Sequence, residues 1–418
     1  MSEWKEYKLG EIGIIARGKS KHRPRDAAHL YGGKYPFIQT GDIKAANHKL
    51  FSFTQSYSEA GLLQSKLWPI GTVCITIAAN IADTALLTFP ACFPDSVIGF
   101  IPNKNICNAD FIEYLLQFYR LQIKTHSIGS VQDNINLGTF EKIKFRIPSL
   151  PTQTAIAEIL SSLDDKIELN NQINKDLEAL AQALFKQWFI DFEFPNENGE
   201  PYRSTGGKMV DSELGEIPKG WKIISFKETV DKYIDNRGKT PPCVSVGIPL
   251  VEVRHMSDNS IYPAMITQKY VTDDVYSNYF RAYLQPDDIL MSTVGTIGRL
   301  NITPNKIFAI AQNVLGIRFR KDILTQLFMF CLMRSKVFND QINSRLVITV
   351  QASIKRSDIE KIPILIPNIN LVKQFNNQII LNFDMISNLT DETSKLITLR
   401  DTLLPKLISG ELEVSDIQ

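Results

Sequence analysis

The stretch TQTAIAEILSSLDDKIELNNQINKDLEALAQALFKQWFI, residues 152–190, carries a continuous stripe of apolar side chains at coiled-coil spacing. Steps of four and three residues alternate along it, which gives the 3.5-residue period of helices that pack side by side. No proline or glycine interrupts it, so it predicts one helix of roughly 50 Å, too long for an ordinary core helix. The stripe consists of Ile156, Leu160, Leu163, Ile167, Asn170, Asn174, Leu177, Ala181, Leu184 and Trp188.

A second stripe of the same kind occurs 219 residues later in the chain. A surface helix of a larger globule would explain one stripe, but two favour helices that bury their apolar sides against each other. Asn170 and Asn174 interrupt the first stripe, and buried asparagines in coiled coils fix register or partner. The second stripe consists of Phe375, Ile379, Asn382, Ile386, Leu389, Thr393, Leu396, Arg400, Leu403 and Leu407.

The segments before the two stripes repeat each other in order. Trp4-Lys5 matches Trp221-Lys222, and the offset between later matches drifts only from 213 to 220. An internal repeat sets the architecture. We predict an α+β protein with two similar mixed α/β domains and two long helices that form an antiparallel coiled coil with pseudo-twofold symmetry. The predicted boundaries are 1–150 and 221–369 for the domains, 151–193 and 370–418 for the helical spacers, and 194–220 for a Pro/Gly-rich linker.

Charge alternates along the chain although the net charge is only +1. The two domains carry +5 and +6, whereas the spacers carry −5 and −3 and the linker −2. Basic domains suit a polyanion, and acidic helices would be kept away from it.

The five cysteines are scattered and include no C-x-x-C pair, which favours reduced thiols in the cytoplasm over a disulfide framework or zinc ribbon.

Motifs of the common catalysts are missing from the sequence. It contains no G-x-x-x-x-G-K-[ST] phosphate loop, no H-E-x-x-H metal motif and no Cys/His metal set. The sequence Thr-Val-Gly-Thr-Ile-Gly-Arg at 293–299 has glycines at the wrong spacing for nucleotide binding and favours a tight turn. The chain is therefore predicted to bind rather than to catalyse, and no metal or catalytic residue is predicted.

Basic and polar clusters near the strand ends are the candidates for DNA contact. Arginine and lysine suit phosphates and guanine edges, and glutamine and asparagine suit adenine, although each single cluster could be ordinary loop polarity. Matching sets in both domains favour function. The candidates are Arg17, Lys19, Lys21, His22, Arg23, Arg25, Gln39, Thr76, Asn80, Gln132 and Asn134 in the first domain, and Arg237, Lys239, Arg254, His255, Ser292, Thr293, Thr296, Arg299, Gln351, Ser353 and Lys355 in the second.

The chain resembles, over essentially its whole length, the specificity (S) subunits of type I restriction–modification systems. The residues that carry the resemblance are IPSLPTQTAIAEILSSLDDKI at 147–167, the segment 184–195, DSELGEIPKGW at 211–221 and LLPKLISGEL at 403–412. The resemblance implies two target recognition domains that each read one half of a bipartite double-stranded DNA site. It also implies helical spacers that set the half-site distance and dock two methyltransferase (modification) subunits.

The resemblance further implies that nuclease-translocase (restriction) subunits join the complex, and that S-adenosylmethionine, ATP and Mg are bound by the partner subunits. This chain would then bind no cofactor and act in the cytoplasm.

Two other functions remain open at this stage. A self-sufficient restriction or modification enzyme would transfer methyl groups or cleave DNA alone, and a coiled-coil scaffold with two protein-binding domains would lack salt-dependent DNA affinity.

Overall fold

The computed structural model describes residues 4–78, 81–120, 123, 137–236, 238, 240–257, 260–346 and 353–416. The chain divides into two compact units. Unit 1 comprises Met1–Leu169 and Glu392–Gln418, and unit 2 comprises Asn170–Asp391. In the described part, no helix has the length and apolar character needed to cross a lipid bilayer.

Unit 1 is built on a five-stranded sheet in the order β2-β8-β6-β7-β4, with separate pairs β1-β9 and β3-β5. Its strands are β1 Lys5–Tyr7, β2 Gly13–Arg17, β3 Tyr31–Phe37, β4 Lys49–Leu50, β5 Gln55–Tyr57, β6 Val73–Thr76, β7 Thr84–Leu87, β8 Val97–Pro102 and β9 Phe145–Ile147. The helices that begin in it are α1 Leu9–Ile12, α2 Thr40–Ala45, α3 Glu59–Leu63, α4 Ala109–Phe118, α5 Leu137–Lys142 and α6 Leu150–Phe189.

Unit 2 contains a four-stranded sheet in the order β13-β19-β16-β17, a smaller sheet β15-β14-β18 and the pairs β12-β20 and β10-β11. Its strands are β10 Met209–Ser212, β11 Gly215–Pro218, β12 Lys222–Ser225, β13 Val230–Ile234, β14 Ile248–Val251, β15 Tyr270–Val271, β16 Ile289–Ser292, β17 Leu300–Ile302, β18 Ala309–Ile310, β19 Val314–Phe319 and β20 Pro363–Ile366. The helices that begin in it are α7 Phe226–Thr229, α8 Asp273–Tyr279, α9 Gln326–Arg334, α10 Lys336–Asn343, α11 Arg356–Ile359 and α12 Ile369–Ser409.

Equivalent strands pair in the same register in both units, which agrees with the predicted repeat. Lys5 lies opposite Ile147 in the antiparallel pair β1-β9, and Lys222 lies opposite Ile366 in the pair β12-β20. In each unit the strand that follows the tryptophan thus pairs with the strand that precedes a long helix. The sheet order β2-β8-β6-β7 likewise matches β13-β19-β16-β17.

The two predicted long helices are present as α6 and α12, of 40 and 41 residues or about 60 Å each at 1.5 Å per residue. Their contacts run in opposite directions along the two sequences in each unit. In unit 1, Asp164 pairs with Arg400, and Lys166 pairs with Glu392. In unit 2, Asn174 donates to the Thr390 hydroxyl at 3.5 Å, and further along the ring of Phe185 lies against that of Phe375. The helices are therefore antiparallel within each unit.

All residues of the two predicted stripes are buried or half-buried in the structure. Of the twenty, ten are buried and ten are half-buried, so the 3.5-residue period correctly predicted the covered side of each helix. The buried positions are Ile156, Leu160, Ile167, Asn170, Ala181, Trp188, Phe375, Ile379, Ile386 and Leu407, and the half-buried ones are Leu163, Asn174, Leu177, Leu184, Asn382, Leu389, Thr393, Leu396, Arg400 and Leu403.

The segment predicted as a linker, residues 194–220, is an ordered part of unit 2. It contains the hairpin β10-β11, whose first residue Met209 lies opposite Pro218. The Phe194 ring stacks on Tyr202 at 4.5 Å and on Trp221 at 5.4 Å between ring centroids. Its prolines and glycines thus form turns in a packed element, and aromatic stacking holds in place a segment that was predicted as a linker.

Candidate nucleic-acid interface

The basic segment at residues 17–25 is a fixed loop that begins where β2 ends. The Gly18 and Lys19 amides donate to the carbonyls of Val97 and Phe93 at 2.9 and 3.0 Å. A Cβ at Gly18 would lie 2.3 Å from the Phe93 and Pro94 carbonyl oxygens, so only glycine allows this close approach. The Ser65 hydroxyl donates to the Lys19 carbonyl at 2.7 Å.

The predicted basic side chains of this loop divide into two sets. Arg17, Lys19 and Lys21 form the first set, and all three are exposed. The second set makes contacts within the loop or with nearby residues: the exposed Arg25 pairs with Asp95 at 2.9 Å, the exposed Arg23 donates to backbone carbonyls of its own loop, and the half-buried His22 lies near the Pro24 carbonyl. The first set can reach a phosphate, whereas the contacts of the second set hold the loop in shape.

In unit 2, three of the predicted segments lie side by side. Val294, in the turn after β16, forms an isolated antiparallel β-bridge with Ser353. Beside it, the Ile354 amide donates to the Thr293 carbonyl at 3.2 Å. The half-buried Arg299 donates to the carbonyl of Met256 at 3.0 Å, which brings the loop of Arg254 and His255 to the same region. The exposed side chains here are those of Arg254, Thr296 and Lys355.

Two further predicted residues make intramolecular contacts. Gln39 is half-buried and donates to the Gln55 side-chain oxygen at 2.6 Å. His255 Nδ1 accepts from the Glu252 amide at 2.9 Å, and burial lowers the pKa of His255. Arg254 pairs with the Glu252 carboxylate, which also accepts from Lys269.

Three predicted residues are corrected by the structure because their side chains are not accessible to DNA. Thr76, Ser292 and Thr293 are buried. The Thr76 hydroxyl bonds to the Asp83 backbone, the Ser292 hydroxyl donates to the Thr296 carbonyl at 2.6 Å, and the Thr293 hydroxyl donates to the Asn313 carbonyl. These hydroxyls satisfy the backbone of the turns that follow β6 and β16. Six predicted residues lie outside the described part of the chain: Asn80, Gln132, Asn134, Arg237, Lys239 and Gln351.

A largely buried polar network joins the first domain to both long helices in unit 1, and sequence reasoning missed it. The Asp164 carboxylate accepts from Arg400 Nη1, Asn47 Nδ2 and Tyr114 Oη, each at 2.6 Å. Arg400 also donates to the Asn47 side-chain oxygen at 2.6 Å. The Asp164 and Arg400 side chains are only 4% and 13% exposed. We call the network the polar cluster; its residues are Asn47, His48, Asp110, Glu113, Tyr114, Asp164 and Arg400.

The second layer of the polar cluster is the imidazole of His48. It stacks on the Tyr114 ring at 4.1 Å and hydrogen-bonds to the carboxylates of Glu113 and Asp110. Burial alone would lower the pKa of His48, but the charge of Glu113 and the hydrogen bonds of both carboxylates raise it to about 9. His48 is therefore a cation at neutral pH, which compensates buried negative charge.

In unit 2 the domain contacts the long helices through aromatic side chains. By the 219-residue offset, Phe383 is the counterpart of Asp164, and its ring lies 5.9 Å from that of Phe330 between centroids. The Phe189 ring packs against Phe328 at 4.8 Å and against Phe375 at 5.1 Å, and Phe185 packs against Phe328 at 5.4 Å. We call the set of Phe185, Trp188, Phe189, Phe328 and Phe375 the aromatic cluster. One ion pair, between Arg334 of α9 and Glu178 of α6, accompanies it.

The described residues include no set of three or more His, Cys, Asp or Glu side chains positioned to hold a metal ion. Four of the free cysteines are buried and Cys243 is exposed. Burial raises the pKa of the Cys107 thiol to about 12, so it is a poor nucleophile at neutral pH.

Comparison with known proteins agrees with this architecture. The type I restriction modification DNA specificity domain matches residues 1–179 and 218–399. The MjaIX specificity subunit of Methanocaldococcus jannaschii is 27% identical over 436 residues, covering 99% of this chain and 95% of that protein. The HindI specificity subunit of Haemophilus influenzae is 25% identical over 487 residues, and the alignment covers 99% of this chain and 100% of that protein.

The fold is also that of a solved relative. The crystal structure of the type I restriction–modification S subunit from M. genitalium covers 97% of this chain and 96% of its own, with a TM-score of 0.56 and 14% identity. The predicted fold class and the family resemblance are confirmed. Two matches to the same domain, one for each half of the repeat, place this chain in the non-enzymatic family of type I restriction–modification DNA specificity subunits.

Proposed function

We propose that this chain reads a bipartite double-stranded DNA site, with one half-sequence read by each domain. The observation that carries the proposal is the duplication of the domain down to strand register, with Lys5 opposite Ile147 and Lys222 opposite Ile366. Two similar domains that differ in their loop residues present two similar but non-identical surfaces. The long helix that follows each domain sets the number of unread base pairs between the half-sites.

The proposed contact residues are exposed basic side chains taken from the predicted clusters of each domain. In the first domain these are Arg17, Lys19 and Lys21, on a loop that its backbone contacts hold in place. In the second domain Arg254 and Lys355 flank the turn of residues 293–299. A fixed loop loses little conformational entropy on binding, and arginine can form two hydrogen bonds to a guanine edge.

The test is selection of bound duplexes from a random library by the chain together with its methyltransferase subunits. The triple variant R17A/K19A/K21A should relax the first half-sequence only, and R254A/K355A should relax the second only. If the three basic residues of the first set contact phosphates, their loss should lower the salt slope of log K by about 2 to 3.

Lys175, an exposed residue of the acidic helix α6, provides the matched control. K175A should leave both half-sequences and the salt slope unchanged. Equal loss at both halves in either loop variant would contradict the domain assignment. Absence of any sequence preference would favour a protein scaffold instead.

The methyltransferase subunits are proposed to dock on exposed apolar side chains of the long helices. Within unit 2, Leu180 of α6 and Leu381 and Met385 of α12 are 59%, 72% and 46% exposed. Leu381 and Met385 are four residues apart and lie on one side of α12. L381E/M385E should abolish copurification of the methyltransferase and leave the unfolding temperature unchanged. K373A, at an exposed polar position further round α12, should change neither copurification nor the unfolding temperature.

The catalytic chemistry is assigned to the partner subunits in this proposal. S-adenosylmethionine belongs to the two methyltransferase subunits, and ATP and Mg belong to the nuclease-translocase subunits. The complex acts on DNA in the cytoplasm. Calorimetric titration of the purified chain with S-adenosylmethionine should show no binding, while the complex with methyltransferase should bind it.

A further inference from the structure

We propose that the polar cluster of unit 1 fixes the register between the two long helices and thereby makes spacer length a selected property of the DNA site. This inference rests on the proposed function. It concerns Asp164 and Arg400 as positioning residues, since neither belongs to the proposed DNA-contact surface.

The Asp164–Arg400 contact is compatible with one register only. A slip of one heptad moves a residue by roughly 10 Å along the helix. It would place Thr393 or Leu407 where Arg400 now lies, and the buried Asp164 carboxylate would lose its charged partner. An unpaired buried charge is costly, whereas the apolar stripe residues repeat every heptad and exchange for one another at little cost. The polar pair therefore discriminates between registers that apolar burial would accept.

The same carboxylate holds the recognition domain of unit 1 in place. Asn47 lies just before β4 and Tyr114 lies on α4, and both donate to Asp164 at 2.6 Å. Stacking of His48 on Tyr114 orients the phenol further. Helix register and domain position in unit 1 are consequently determined at one point. Hydrogen bonds are directional, so this joint tolerates less displacement than apolar contacts would.

The decisive experiment separates register from stability. In the triple variant Y114F/D164L/R400M, apolar side chains of similar volume replace the buried charges, a change that often leaves stability equal or higher. Wild-type and variant complexes with methyltransferase select from duplexes with both half-sites constant and the spacer varied by single base pairs. We expect an unchanged unfolding temperature, unchanged half-sequences and a roughly tenfold weaker preference for the best spacer over its neighbours.

The matched control is the exposed ion pair between the same two helices in the same unit. Lys166 and Glu392 are 3.4 Å apart and 43% and 44% exposed, so K166A should leave the spacer profile unchanged. If the triple variant does not fold, N47A tests the same inference. It removes the two hydrogen bonds that the exposed Asn47 makes with Asp164 and Arg400. We expect N47A to broaden the spacer-length profile, to a smaller extent than the triple variant.

Unchanged spacer preference in a folded variant that still reads both half-sequences would overturn the inference and leave the proposed function intact. Absence of half-site preference in the unaltered complex would overturn both the inference and the proposed function. A broader profile for K166A equal to that of the triple variant would also overturn it, because any contact between the helices would then suffice.

Discussion

The two units attach their domains to the long helices by different chemistry. In unit 1 the buried carboxylate of Asp164 accepts from three donors. Its counterpart in the repeat, Phe383 of unit 2, lies against the ring of Phe330, and Phe375 on the same helix packs among further aromatic rings. The strand pairings at the base of the two domains nevertheless have the same register. A duplicated fold can thus retain its backbone geometry while the side chains that secure it diverge, and the two attachments should respond differently to mutation and pH.

The largest effect is expected in the aromatic cluster of unit 2. Phe375 is fully buried and packs against Phe185, Trp188 and Phe189. F375A should lower the free energy of unfolding by about 3–5 kcal/mol, because it removes buried apolar surface and leaves a cavity. Hydrogen exchange should increase in peptides of unit 2 first.

Leu381 on the same helix supplies the control for that variant. It is 72% exposed, so L381A should change stability by less than about 0.5 kcal/mol. If F375A loosened unit 1 as much as unit 2, the two attachments would not be separate.

The next effect is a pH dependence confined to unit 1. The pKa of His48 is raised to about 9 in the folded chain, against about 6.5 when unfolded. Its contribution to stability is therefore fully present below pH 6.5 and is lost as the pH rises through 9, by roughly 3 kcal/mol. The groups that face the imidazole are Glu113, Asp110 and Tyr114, with Lys49 at 3.8 Å from Asp110.

Urea unfolding between pH 6 and 10 tests this dependence against H48Q. The difference in stability between the wild type and H48Q should shrink as the pH rises, since other titrating groups contribute equally to both proteins. A constant difference over that range would show that His48 is neutral throughout and that the contrast between the units is not electrostatic.

The long helices and the repeat could be predicted from the sequence because both leave ordered traces in it. Apolar periodicity is local, and the repeat preserves the order of its matches. The polar cluster leaves no such trace, because its residues are spread from Asn47 to Arg400 and meet only in the folded chain. Arg400 was visible only as a polar interruption of a stripe. Thr76 and Ser292 were wrongly predicted to contact DNA. Residue type alone does not reveal that each hydroxyl is buried and bonded to the backbone of its own turn.

A smaller effect is expected when one donor of the polar cluster is removed. Y114F deletes the hydroxyl that donates to Asp164 at 2.6 Å, while Arg400 and Asn47 continue to donate. A hydrogen bond to a charged acceptor contributes about 1.5–3 kcal/mol, so we expect a loss of about 2 kcal/mol by thermal unfolding. Y202F, at an exposed hydroxyl of unit 2 that donates to the Lys208 carbonyl, should cost less. Equal losses would remove the distinction between the two attachments.

The smallest effect is expected at the exposed pair Lys166–Glu392, although it joins the same helices as Asp164 and Arg400. Both side chains are more than 40% exposed, so water and salt screen their attraction and ordering them costs side-chain entropy. K166A should change the free energy of unfolding by less than about 0.5 kcal/mol, and the change should vanish in high salt. A loss comparable to that of Y114F would mean that exposure does not separate the strong from the weak contacts of unit 1, and that its attachment is distributed along the helices rather than concentrated at Asp164.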